Sequence, residues 1–100
     1  MKLRTILTLI LAVLAGSTSA QPQARGDDTL LDMAQAFRRN DKARLPQLLP
    51  AARGHALEPW AAYWELRARL DTATPQEIED FLARYAGTYQ EDRLRNDWLL

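Results

Sequence analysis

Between residues 28 and 100, apolar side chains return every three or four positions, the spacing that gathers them on one face of an α-helix. Leu30, Met33, Ala34 and Phe37 form the first such stripe. Asp27 or Asp28 is suited to cap its N-terminal N–H groups, and Arg38 and Arg39 suit its negative end. After a break at Asn40-Asp41, Leu45, Leu48 and Leu49 predict a second helix. Pro46 makes its start ambiguous, and Pro50 is expected to end it, because proline inside a helix costs ~3 kcal/mol. Two short helices joined so tightly imply an antiparallel hairpin.

Residues 51–57 read as a connector containing Gly54. Pro59 suits the first turn of a third helix running to Leu70, with Trp60, Tyr63, Trp64, Leu66 and Leu70 along it and Glu65 four residues before Arg69. Thr74, Pro75 and Glu77 occupy N-cap, N1 and N3 of a fourth helix, a capping box with proline in its preferred place. Ile78, Phe81, Leu82 and Tyr85 are its apolar stripe, and Gly87 is placed to end it in the left-handed conformation. Thr88 and Glu91 repeat the box before a fifth helix bearing Leu94 and Trp98. No segment alternates as a β-strand does, so the fold class is all-α, built of short antiparallel helical hairpins.

The first twenty residues follow a different pattern. Lys2 and Arg4 precede an apolar run from Ile6 to Ala15, and Thr18 and Ala20 place small residues at −3 and −1 before Gln21. This is the arrangement of a cleavable secretory signal peptide, too short for a ~20-residue membrane span. It predicts export to the periplasm with no stable membrane anchor after cleavage. Residues 21–27, with Pro22 and Gly26, read as a flexible lead-in, and residues 28–100 as one helical segment. Trp98, Leu99 and Leu100 close the sequence without a helix stop signal, an expectation that the chain continues into further helices. Residues 21–100 alone are therefore expected to be partly molten or self-associating.

Composition narrows the chemistry. Without Lys2 and Arg4, residues 21–100 hold 11 basic and 13 acidic side chains, a balance that gives no reason to expect nucleic acid as a partner. Cys is absent, and the only two serines, Ser17 and Ser19, fall in the signal segment, so thiol and serine nucleophiles are excluded from the mature chain. The acids Glu77, Glu79, Asp80, Glu91 and Asp92 sit in first helical turns, where the helix dipole accounts for them. Glu58 and Glu65, seven apart, share a helical face, but nothing marks them as a catalytic pair. His55, the one histidine, reads as a solvated loop residue, and no cofactor or metal is implied.

Leu48-Leu49-Pro50, then Leu57-Glu58-Pro59-Trp60, then Tyr63-Trp64-Glu65-Leu66, resembles the beginning of the soluble lytic murein transglycosylases. Residues 78–99 look like that family's next hairpin. The resemblance covers about residues 30–100. It implies the start of an α-superhelix, the N-terminal non-catalytic scaffold of a periplasmic enzyme that cleaves the MurNAc–GlcNAc bond of peptidoglycan to a 1,6-anhydro product. The family's lysozyme-like domain, with its Glu-Ser and Tyr-Asn-Ala-Gly-Pro signatures, has no counterpart here, so no catalytic residue carries over. The implied partners are peptidoglycan, through the parent enzyme, and that enzyme's remaining helices and catalytic domain. The alternative is a free-standing periplasmic helical-repeat module that binds protein or glycan. For either, Trp60, Tyr63 and Trp64 with Arg38 and Arg39 are the candidate glycan or partner surface, although aromatics at helical spacing also suit a core.

Overall fold

The computed structural model describes residues 21–100, with side chains from Gly26 onward; the expected signal peptide, residues 1–20, lies outside the described residues. Among the described residues there are five α-helices and no strand: α1 (Gln21–Arg38), α2 (Arg44–Ala52), α3 (Glu58–Ala68), α4 (Pro75–Arg84) and α5 (Tyr89–Leu99).

Helix α1 begins six residues before Asp27, so the stretch expected to be a flexible lead-in is helical, and neither Asp27 nor Asp28 is its cap. Pro22 falls in its first turn, where a missing N–H costs nothing. Helix α2 also departs from expectation. Pro50 lies inside it rather than ending it. Leu45 and Ala52, at the helix's two ends, are completely buried, and that packing holds the helical path across the lost hydrogen bond.

The other predicted boundaries hold within two residues. Both hydrogen bonds of the Thr74–Glu77 capping box are formed. At α5 the Glu91 backbone N–H donates to Thr88 Oγ1, while the Glu91 carboxylate reaches past the cap to the Gly87 N–H at 2.9 Å. Gly87 has φ +86°, the left-handed geometry that ends α4's segment.

Helix α3 is the shared wall. It packs against α1, α2 and α5, and α4 packs against α5. One apolar cluster joins Leu30, Met33, Ala36, Leu45, Ala52 and Ala61. A second joins Ala62, Tyr63 and Leu66 to Ile78, Phe81, Leu82, Tyr85 and Leu94. Adjacent α3 residues, Ala61 and Ala62, thus face different clusters, with Leu49 and Trp64 touching both. Leu94 is fully buried, whereas Trp98, Leu99 and Leu100 are exposed. No helix among the described residues is long and apolar enough to cross a membrane.

Candidate functional site

Two concavities flank α3, one charged and one apolar. The charged cleft, about 300 Å³, is lined by Arg53, Glu65, Arg69, Glu77, Arg84 and Tyr85 among others. Beside it sits Glu58, the first residue of α3, with its side chain only 12% exposed. One oxygen accepts the Gly54 N–H at 2.8 Å. The other accepts Tyr85 O–H at 2.5 Å, Arg84 Nε at 3.1 Å and Arg53 Nη1 at 3.2 Å. The Tyr85 hydroxyl in turn accepts from Arg53 Nη1 at 2.9 Å. One carboxylate therefore ties the α2–α3 connector to the end of α4. Burial pushes its pKa up, but the four donors outweigh burial and hold it at about 2. A carboxyl that acidic stays ionised near neutrality and has no proton to give.

Glu65 is committed in the same way. Its two oxygens take Arg69 Nε at 2.5 Å and Nη2 at 3.1 Å, and Arg69 Nη1 pairs with Glu77. Glu58 and Glu65, which the heptad spacing placed on one face, are thus drawn to separate arginines. On the far side of α3, Asp97 accepts Tyr63 O–H at 2.6 Å and lies 3.3 Å from Arg67. Burial, and then the bond to Asp97, push the Tyr63 phenol up to about 12. Every buried side-chain nitrogen and oxygen among the described residues has a partner. No group of three His, Asp or Glu among them is placed to hold a metal ion.

His55 is not a solvated loop residue. Its Nδ1 accepts the Leu57 N–H at 2.9 Å, which leaves Nε2 to donate to Asp27 at 2.6 Å, pinning the α2–α3 connector to α1. With both ring nitrogens engaged, neither is free to take a substrate proton. Gly26 makes room for the ring, since a Cβ there would lie 3.0 Å from His55 Cδ2. No local pattern marks this contact, because residues 26 and 27 meet residue 55 only through the tertiary fold.

The apolar concavity, about 550 Å³, runs between α1 and α3 over Leu30, Leu31, Ala34, Leu57, Trp60 and Trp64, with Asp27 and His55 at its rim. Leu31 is 68% exposed and Leu57 50%. Trp60 and Trp64 stack at 5.8 Å between centroids, and the exposed Tyr89 leans on Trp60 at 5.7 Å.

The expected surface residues separate on this framework. Trp60 and Trp64 are half-buried in the groove. Tyr63 is buried, its hydroxyl turned to Asp97. Arg38 and Arg39 are exposed at the end of α1. Leu31, Ala34 and Leu57, absent from the candidate set, complete the groove; the available signal was Leu31 itself, a large apolar residue just off the Leu30–Met33–Phe37 stripe. Comparison with protein-family models, curated proteins and solved structures finds no match to this chain.

Proposed function

We propose that this chain is the N-terminal, non-catalytic scaffold portion of a periplasmic lytic transglycosylase acting on peptidoglycan, the first hairpins of an α-superhelix. The observation that carries the non-catalytic half of this reading is the commitment of its shielded ionisable groups. Glu58, Tyr85 and His55 place their polar atoms in contacts between segments, and Glu65 holds Arg69, which reaches on to Glu77. The cell-wall half rests on the sequence pattern Leu48-Leu49-Pro50, Leu57-Glu58-Pro59-Trp60 and Tyr63, and on the signal-like residues 1–20. Such a portion gives the parent enzyme shape and surface, while bond cleavage belongs to a separate lysozyme-like domain.

A second reading, a free-standing periplasmic module that binds protein or glycan, draws on the open aromatic groove, because sugar rings and apolar side chains both settle on indole faces. Co-sedimentation with purified sacculi, with circular dichroism on the same sample, separates the two. Helical protein that remains in the supernatant agrees with a scaffold whose partner is its own enzyme. Helical protein that sediments and is released by salt or muropeptides favours the second reading. Release of 1,6-anhydro muropeptides by the purified chain contradicts both.

A further inference from the structure

The outer face of α1 reads as its own complement. Asp27, Leu31, Ala34 and Arg38 follow one another at intervals of four, three and four residues, which sets them in one stripe along the helix. The first three line the apolar groove, and Arg38 lies one turn beyond it. Asp27 is 61% exposed even with His55 on one oxygen, and Arg38 has no ion-pair partner among the described residues. Turned end for end, the stripe sets Asp27 opposite Arg38 and Leu31 opposite Ala34, acid against base and large against small.

We infer that the α1–α3 groove is the contact face for a second copy of this chain, with the two α1 helices packed antiparallel across a two-fold axis that passes between residues 32 and 33. Each Leu31 enters the partner copy's groove above Ala34, Trp60 and Trp64, and each Asp27 meets an Arg38 at the groove's edge. A two-fold contact of this kind is isologous, so it closes as a dimer rather than growing into a fibre. Glycan fits the surface less well. Its ionisable lining groups, Asp27 and His55, are already bonded to each other, and the two indoles can add N–H donors but no acceptor, whereas sugar recognition needs several free donors and acceptors.

Sedimentation equilibrium on the protein expressed from its full reading frame and purified in processed form tests this. A monomer–dimer equilibrium is expected, weakened at least ~tenfold by Leu31→Asp and unchanged by Leu99→Asp, which alters a comparably exposed leucine that does not line the groove. Asp27→Lys and Arg38→Glu should each abolish self-association, because each sets like charges against one another. Mixed together, the two variants should associate about as tightly as the parent, since both cross-copy pairs are then opposite in charge. Circular dichroism on each variant separates a lost contact from a lost fold. A parent that stays monomeric overturns the inference. So does a dimer lost in Leu99→Asp and kept in Leu31→Asp, or a mixture of the two folded charge variants that fails to associate.

Discussion

The two apolar clusters share α3 but are fastened differently. On the α4–α5 side, Glu58, Glu65 and Asp97 each gather at least one arginine, and the first and last also take a buried tyrosine hydroxyl. Phe81 and Tyr85 add an aromatic pair 4.9 Å apart. On the α1–α2 side the cluster is aliphatic and small, with Met33 and Leu45 as its large fully buried members. Its polar ties include the His55–Asp27 contact and a loose, exposed Arg44–Asp32 pair at 3.9 Å. The difference teaches where chemistry was spent: charge locks α4 and α5 to α3, while α1 leans on packing and keeps an apolar face toward solvent.

The severest way to break the comparison is to empty each cluster in turn. Leu45→Ala and Leu94→Ala each remove a completely buried side chain and should cost about 2–5 kcal/mol in denaturant unfolding. Leu45→Ala should loosen α1 first, read by hydrogen exchange, because fewer polar ties remain to hold it.

Next in size is Glu58→Gln, which keeps the shape and removes the charge that two arginines share. A loss on the order of 2 kcal/mol is expected, measured by urea unfolding at neutral pH. The parent should lose the same contribution in acid. Because the folded pKa, about 2, lies below the ordinary 4.5, the stabilisation is complete above about pH 4.5 and fades as pH falls toward 2. The variant's stability should be flatter across that window.

Smaller still is the pair of caps. Thr74→Ala should cost about 1 kcal/mol, since it undoes a reciprocal box. Thr88→Ala should cost less, because Glu91 still satisfies the Gly87 N–H without it. Thermal unfolding of the two variants side by side checks the order.

Much of the fold was legible because its signals are local. The Thr74-Pro75-Glu77 box, Gly87 and the α4 stripe each act within a turn or two of the chain. The start of α1 is hidden because Pro22 and Gly26 look like breakers, although proline is harmless in a first turn and Gly26 leaves room for a distant ring. Pro50 misleads for the opposite reason: its local cost is real, but the burial of Leu45 and Ala52 outweighs it. The Glu58 hub was hidden altogether, since it joins residues 53, 54, 58, 84 and 85 across three segments. Along the sequence Glu58 stands out for its spacing from Glu65 and its place in Leu57-Glu58-Pro59-Trp60, and Tyr85 as part of a stripe; neither pattern joins the two. His55 looked solvated for want of a nearby partner, and its partner lies 28 residues away.

The central claim is that the most enclosed charges of this chain are fasteners and not reaction groups. Following the Glu58 side-chain carboxyl by carbon-13 NMR through an acid titration of the folded protein tests it most directly. The account predicts a midpoint at about 2, with the Tyr85 hydroxyl still bonded to the carboxylate at neutral pH. A midpoint of about 6–7, the range of a carboxyl poised to donate a proton, would contradict it and put catalysis back beside the charged cleft.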